Sequence, residues 1–189
     1  MTRPNKVFTA SLLCLSSFAL GCNTRWTTDP ASSTVASPSQ PHDVSDPVNL
    51  ELSIVDRPGF DETIAKYRGQ VVLVDFWATW CLHCCEQFPH TVQLSQKYSH
   101  KNLAVVSVSM DEPDATAQIT EFLSQSGADF EHLVSRYGVG QKGFEAFEIA
   151  DGEIPFYALY DRQGSVRFTS HEPDQIDLNI KKLLREASD

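Results

Sequence analysis

The sequence predicts a single α/β domain over residues 48–189, and three observations support this prediction. Strand-like and helix-like segments alternate from about residue 48 onward, which is typical of α/β layer folds. Residues 71–77 form an apolar run interrupted only by Asp75, as expected of a central strand buried on both faces. The chain has 189 residues, 41% of them hydrophobic and 21% charged, and is long enough for one well-buried core.

The other elements are predicted by their apolar pattern and by turn residues. Residues 103–109 form a second apolar run and hence a second buried strand. The segment 161–164, Asp-Arg-Gln-Gly, separates two short apolar runs and predicts a β-hairpin. In residues 173–187 the apolar positions recur at helical spacing, which predicts an amphipathic helix. The predicted strands are residues 50–55, 71–77, 103–109, 156–160 and 166–169, and the predicted helices are residues 60–67, 81–99, 113–126, with Pro113 in the first turn, and 173–187.

The first 21 residues predict a lipoprotein signal peptide. Arg3 and Lys6 precede an uncharged stretch, residues 7–20, that is too short to predict a membrane span. The string that ends at Cys22, Ala-Leu-Gly-Cys, resembles the bacterial lipobox. This resemblance implies that Cys22 is acylated and becomes the mature N-terminus. The alternative is an ordinary signal peptide with an incidental cysteine.

Residues 22–47 predict a flexible tether, because Ser, Thr, Pro, Ala and Asp dominate and large apolar residues are few. The formal net charge of the chain is −10, so the folded body should repel nucleic acid and anionic lipid headgroups. Membrane association must then come from the lipid anchor rather than from a basic patch. We therefore expect an extracytoplasmic lipoprotein, in the periplasm or at the cell surface, that does not bind nucleic acid.

Three of the five cysteines, Cys81, Cys84 and Cys85, are too clustered for a disulfide framework that joins distant parts of a fold. Cys81 and Cys84 follow the predicted strand 71–77 and open the next helix. Unpaired N–H groups and the macrodipole at a helix N-terminus favour a thiolate. A disulfide across this short loop would also be easily reduced. A zinc site would need a second cysteine pair, which the chain lacks, so the predicted redox group is the disulfide itself, with no metal or other cofactor.

One part of the chain resembles the active-site segment of the thioredoxin superfamily. It is residues 71–84, Val-Val-Leu-Val-Asp-Phe-Trp-Ala-Thr-Trp-Cys-Leu-His-Cys. With Phe88-Pro89 downstream, the motif is similar to the TlpA/ResA branch, whose members are extracytoplasmic and membrane-attached. The similarity covers roughly residues 60–184. It implies a thioredoxin-like fold, a central mixed β-sheet flanked by α-helices. It also implies that Cys81 is the attacking nucleophile and Cys84 the resolving thiol.

Asp75 lies six residues before Cys81, at the place where thioredoxin carries a buried aspartate. Burial raises the pKa of a carboxyl group, so Asp75 is expected to accept the Cys84 proton when a mixed disulfide is resolved. The alternative is an aspartate that is hydrogen-bonded at a sheet edge. Gln87 stands where ResA-like proteins carry an acidic residue, with Glu86 beside it. This departure argues against a ResA-type mechanism or a specific role in cytochrome c maturation.

Pro155, which follows Ile154, fits the superfamily's cis-proline opposite the cysteine pair. That position leaves a backbone edge free to pair with an extended substrate, so Trp80, Ile154 and Pro155 are the expected substrate groove. A trans proline at the start of a strand is the alternative. Residues 140–153 make the connection before Pro155 longer than is usual in TlpA-like proteins. This insertion either shapes partner choice or is decorative.

His83 lies between the paired cysteines, as in oxidising superfamily members that carry Cys-x-His-Cys. A histidine there is expected to donate a hydrogen bond, or to carry positive charge, near the Cys81 thiolate. Either effect would stabilise the reduced pair and make the disulfide a stronger oxidant. The alternative is that His83 points to solvent and changes little.

These features predict a thiol–disulfide oxidoreductase that exchanges disulfides with envelope proteins carrying thiols or disulfides, and with a redox partner. One alternative is an SCO-type copper chaperone. It would use the Cys-x-x-x-Cys of Cys81 and Cys85 with a distant histidine, such as His132 or His171. A second alternative is a thioredoxin-like binding module without turnover.

Overall fold

A computed structural model describes residues 50–186 of the chain. The predicted signal peptide 1–21, the lipidation at Cys22 and the tether 22–47 lie outside the described residues. Within residues 50–186, no helix has the length and apolar character needed to cross a bilayer.

Strands and helices alternate along most of the described residues, as the sequence predicted. In chain order they are β1 (Leu52–Val55), α1 (Arg57–Lys66), β2 (Val71–Trp77), α2 (Leu82–Tyr98), β3 (Leu103–Ser109), α3 (Thr116–Ser126), β4 (Glu131–Ser135), α4 (Gln141–Ala146), β5 (Phe156–Tyr160), β6 (Val166–Ser170), a 3₁₀ turn (Pro173–Gln175) and α5 (Ile176–Arg185).

The six strands form one mixed sheet in the order β1-β4-β3-β2-β5-β6. Strands β1, β4, β3 and β2 are parallel to one another, whereas β5 pairs antiparallel with both β2 and β6. Every residue of β2 is buried, and the strand lies between β3 and β5. The carboxyl end of β2 therefore delivers the following turn to one edge of the sheet, where sites of α/β folds form.

Side chains of β2 alternate between two apolar layers. Phe76 packs with Phe60 of α1 and Phe147 on one face. On the other face, Leu73 joins residues of α2 and α5, and Trp77 contacts the ring of Phe88 in α2. Asp75 lies between Leu73 and Trp77 in this alternation and so belongs to the face that α2 covers. Burial of both faces fixes β2, and with it the position of the turn that follows.

The structure differs from the sequence prediction at several boundaries. Strand β4 was not predicted, although it pairs with both β1 and β3. Helix α1 begins at Arg57, earlier than expected, because the Asp56 side chain accepts a hydrogen bond from the Gly59 N–H at 3.1 Å. Helix α3 begins at Thr116 rather than Pro113, because Ala115 N–H closes a separate turn onto the Glu112 carbonyl. The last predicted helix begins with the 3₁₀ turn.

Candidate active site

Cys81 and Cys84 form a disulfide at the start of α2, and Cys85 is a free thiol. Cys81 is the N-cap residue, with extended backbone, and the Cys84 N–H points at its Sγ at 3.1 Å. The N-cap position arises because β2 ends at Trp77 and a short turn bonds Cys81 N–H to the Ala78 carbonyl. In the reduced protein, the same N–H group and the helix macrodipole would stabilise a Cys81 thiolate.

The two sulfurs differ in access. Cys81 is partly exposed, whereas Cys84 is 1% exposed and packs within the core beside Trp77 and Phe88. Trp80 and Leu82, which flank Cys81, are both exposed. An external sulfur atom can therefore approach Cys81 across an apolar surface but cannot reach Cys84 directly.

Asp75 is completely buried in an interior strand, so the alternative of an aspartate at a sheet edge is wrong. Its Oδ2 accepts a hydrogen bond of 2.6 Å from the Thr91 hydroxyl of α2. Its Oδ1 has no hydrogen-bond partner among the described residues. Burial raises the pKa of Asp75 to about 7, against the opposing effect of the Thr91 bond. The carboxyl group can therefore both hold and release a proton near neutral pH.

Tyr157 of β5 lies directly opposite Asp75 in the antiparallel register. Its hydroxyl group is also buried without a hydrogen-bond partner in the described residues. Burial, and then the charge of Asp75, raise the pKa of this phenol, so it stays protonated. Unpartnered polar atoms are costly in a protein interior. Two of them on paired residues mark this spot as polar within an otherwise apolar layer.

The structure adds Asp111, which sequence reasoning missed. Its carboxylate accepts hydrogen bonds from the Thr79 N–H at 2.9 Å, the Thr79 hydroxyl at 2.6 Å and the Ser109 hydroxyl at 2.7 Å. These bonds fix the turn between β2 and Cys81. The signal in the sequence was Ser-Met-Asp at the end of the predicted strand 103–109, because parallel neighbours end at the same edge of a sheet.

The Ile154–Pro155 peptide bond is cis, as predicted. The Ile154 carbonyl oxygen lies 3.7 Å from Cys81 Sγ, so the start of β5 adjoins the disulfide. Trp80, the third residue of the predicted groove, is adjacent to Cys81 in the chain and is 56% exposed. The structure therefore brings the cysteine pair and Ile154 together, with Trp80 at their exposed side.

His83 is largely exposed, and its Nδ1 lies 4.0 Å from a carboxylate oxygen of Glu86. This contact joins neighbouring turns of α2 and does not involve the disulfide. An effect of His83 on the redox potential stays a prediction.

Cys85 contacts the turn before the helix: its Sγ lies 3.7 Å from the Ala78 carbonyl oxygen and 3.6 Å from that of Thr79. Burial, followed by the nearby charge of Asp111, raises the pKa of this thiol. Cys85 is therefore held as a neutral thiol beside the reactive pair.

The geometry gives no support to the copper alternative. Within residues 50–186, no three His, Cys, Asp or Glu side chains are grouped as metal ligands. His132 is buried on β4 with its Nδ1 2.8 Å from the Ser107 hydroxyl, and burial lowers its pKa to about 4. His171 has both ring nitrogens within 2.8 Å of oxygen atoms, one from Pro155 and one from Asp151.

The insertion 140–153 is packed against the domain. Its residues Phe147 and Ile149 are buried in the core, and Phe147 contacts the ring of Phe60. Arg57 of α1 also donates to the Ala146 carbonyl at 3.2 Å and pairs with Glu148 at 3.1 Å. The insertion thus has a structural role beside the start of β5.

The chain is similar to known thiol-disulfide oxidoreductases. The thiol-disulfide oxidoreductase ResA of Bacillus thuringiensis (strain Al Hakam) is 27% identical over 113 residues, which cover 60% of this chain and 61% of that protein. ResA of Geobacillus kaustophilus (strain HTA426) is 25% identical over 117 residues, covering 62% and 63%. The chain therefore spans less than two thirds of the length of these relatives.

Solved structures share the fold. A Chlorobium tepidum protein assigned as the thiol:disulfide interchange protein DsbE has a TM-score of 0.55 and 27% identity, covering 64% of this chain and 84% of that one. A thiol-disulfide oxidoreductase from Bacteroides fragilis NCTC 9343 has a TM-score of 0.53 at 21% identity, covering 61% and 82%, and supports the fold alone. The predicted thioredoxin-like fold is confirmed.

Residues 43–184, well over half of the chain, match the family model described as Redoxin. This match covers the sheet, the Cys81–Cys84 pair and the Ile154–Pro155 segment. The chain belongs to the redoxin family and is a ResA-like member of the thioredoxin superfamily.

Proposed function

We propose that this protein is a thiol–disulfide oxidoreductase of the cell envelope that acts through Cys81 and Cys84. The observation that carries the proposal is the difference between the two bonded sulfurs: Cys81 is accessible at a helix N-cap, and Cys84 is buried behind it. The names of the ResA relatives and of the DsbE-like structure support the same activity.

In the reducing direction, the Cys81 thiolate attacks one sulfur of a substrate disulfide. A bond forms between Cys81 and that sulfur, and the other substrate sulfur leaves as a thiolate, which takes a proton. Cys84 then attacks Cys81 Sγ, so that the Cys81–Cys84 disulfide forms and the second substrate sulfur leaves. Two electrons pass to the substrate. The oxidising direction is the reverse of these steps.

The second step requires that the Cys84 thiol lose its proton inside the core. Asp75 is suited to accept that proton, because it lies on the face of β2 that α2 covers and its Oδ1 has no hydrogen-bond partner among the described residues. Thr91, seven residues after Cys84 on the same helix, holds the other carboxylate oxygen. Near pH 7 the carboxyl group is available in both protonation states.

Substrates in this proposal are proteins of the envelope that present an extended segment beside a thiol or disulfide. The backbone at Ile154 lies next to Cys81 and offers hydrogen-bonding groups to such a segment. Trp80 and Leu82 offer exposed apolar contacts on the flank of Cys81. A lipid anchor at Cys22, with residues 22–47 as tether, would hold the domain at the membrane surface.

Substitution of Cys84 by Ser should trap the reaction intermediate. Cys84→Ser keeps the accessible nucleophile but has no resolving thiol, so we expect a mixed disulfide between Cys81 and a disulfide-bonded protein substrate such as insulin. Cys81→Ser should trap nothing and lose turnover. Non-reducing mass spectrometry measures both results. Cys85→Ser is the matched control and should turn over as wild type does. Trapping by Cys81→Ser would reverse the roles of Cys81 and Cys84, and loss of activity in Cys85→Ser would give Cys85 a part in turnover.

Substitution of Asp75 by Asn should slow resolution of the mixed disulfide. In wild type the rate of this step should rise as the pH increases through about 7, because the ionised carboxyl accepts the proton. In Asp75→Asn that rise should be absent and the step should be roughly tenfold or more slower at pH 8, with attack by Cys81 unchanged. Single-turnover kinetics with a fluorescent disulfide peptide separates the two steps. Wild-type resolution in the variant would remove Asp75 from the mechanism.

The same variant has an expected effect on stability. The pKa of Asp75 is raised above its ordinary value of 3.8, so the folded protein holds a proton that the unfolded chain releases. Wild-type stability should therefore fall as the pH rises from about 4 through 7. Asp75→Asn should lose this dependence and gain on the order of 3 kcal/mol relative to wild type between pH 4 and 8. Urea unfolding measures this, with the exposed Glu121→Gln as control.

Lipidation of Cys22 is tested by metabolic labelling with a fatty acid. We expect label on the wild-type protein, recovered with membranes, and none on Cys22→Ala. The variant Cys85→Ser should be labelled as wild type and controls for the loss of a cysteine elsewhere in the chain. Equal labelling of wild type and Cys22→Ala would contradict the anchor.

A further inference from the structure

His171 joins three separate segments beside the active site. It follows β6, and its Nδ1 lies 2.8 Å from the carbonyl oxygen of Pro155, at the start of β5. Its Nε2 lies 2.8 Å from Oδ2 of Asp151, at the end of the insertion 140–153. The ring also packs at a tilt against the Phe156 ring, with centroids 5.3 Å apart.

The partners of His171 determine its protonation state. A carbonyl oxygen and a carboxylate oxygen both accept hydrogen bonds and neither donates one. A neutral imidazole has a single N–H and can satisfy only one of them. Both contacts of 2.8 Å are hydrogen bonds only when the ring is an imidazolium with two N–H groups.

The surroundings of His171 favour the charged ring. Partial burial lowers its pKa, but the bonds to Asp151 and Pro155 and the charges of Asp151 and Glu153 outweigh this effect, so the pKa is raised above 6.5. Glu172, the next residue in its own segment, is also acidic, and Phe156 contributes an uncharged face. The protonated state that the geometry requires is therefore also the state that the local charges stabilise.

The hydrogen bond to Pro155 connects His171 to the backbone segment that lies beside Cys81. The Pro155 carbonyl that His171 holds follows Ile154, whose own carbonyl oxygen is 3.7 Å from Cys81 Sγ. The His171 ring forms hydrogen bonds to Pro155 and Asp151, so its contact with the site runs through the backbone at Ile154 and Pro155.

We propose that protonated His171 is a positioning residue that ties the insertion to the Ile154–Pro155 segment and so sets the groove for an extended disulfide-bearing substrate. This proposal rests on the oxidoreductase function proposed above. Loss of the proton removes one of the two hydrogen bonds and leaves a lone pair facing an acceptor oxygen. The groove then binds an extended substrate less well, whereas a small disulfide that needs only Cys81 is unaffected.

The test compares two substrates over pH 6 to 9: a disulfide-linked extended peptide and a small aromatic disulfide. The ratio of their kcat/KM values cancels ionisation of Cys81, which both reactions share. In wild type we expect the ratio to fall roughly five- to tenfold as the pH rises, through KM of the peptide. His171→Phe keeps a ring against Phe156 but has no N–H, so its ratio should be low at every pH. Asp151→Asn should move the wild-type transition to lower pH.

His100→Gln is the matched histidine control. His100 is exposed just beyond α2, whose 17 residues place it roughly 25 Å from the cysteines, so this variant should behave as wild type. NMR titration of the His171 ring gives a readout that needs no turnover. We expect a pKa above 6.5 in wild type and a lower pKa in Asp151→Asn.

The outcomes separate the two proposals. If neither substrate is turned over, the oxidoreductase function fails while the NMR titration still decides the state of His171. A substrate ratio that does not change with pH in wild type would overturn the positioning role. The positioning role would also be overturned if His171→Phe kept the wild-type pH dependence of the ratio, or if the pKa of the His171 ring were at or below 6.5.

Discussion

The position of Cys81 at the N-cap of α2 is the constraint on which the site depends. It arises because β2 is buried on both faces and ends at the edge of the sheet where α2 begins. Asp111 then holds the intervening turn through both the backbone and the side chain of Thr79. One sulfur is thereby presented to solvent with a backbone N–H directed at it, and the second is placed one turn deeper in the core.

Buried polar groups at this site lower the free energy of unfolding. Asp75 Oδ1 and the Tyr157 hydroxyl are buried on paired residues, and neither has a hydrogen-bond partner among the described residues. Each such group costs about 1–3 kcal/mol relative to a satisfied one. Apolar residues at these positions would pack the layer at less cost. A carboxyl group at this position would let the buried Cys84 exchange a proton without access to bulk water.

The sequence was sufficient for elements whose surroundings are uniformly apolar. Strands β2 and β3 were predicted to the residue, because burial on both faces leaves an uninterrupted apolar run. The cysteine pair and the cis-proline were predicted from the motif that follows β2 and from its family resemblance. Each of these features is encoded within a short segment of the sequence.

The features that were missed depend on contacts between distant segments. Strand β4 begins with Glu131 and His132, which look exposed in sequence, but His132 is buried beside Ser107 of the neighbouring strand. The bonds of His171 require β6, the insertion and the start of β5 to meet, and no pattern within one segment encodes that meeting. Polar residues near the ends of strands were the sequence signal for these features. Only the structure identified the residues that they contact.

The most direct measurement of the central claim is the pH dependence of alkylation in the reduced protein. Iodoacetamide is applied over pH 5 to 10, and fragment-ion mass spectrometry assigns the modified cysteine. We expect Cys81 to react first, with an apparent pKa below the roughly 8.5 of an ordinary thiol, and Cys84 to stay unmodified in the folded protein. Earlier reaction at Cys84 or Cys85, or a Cys81 thiol that titrates at or above the ordinary value, would contradict the assignment of Cys81 as the accessible, activated nucleophile.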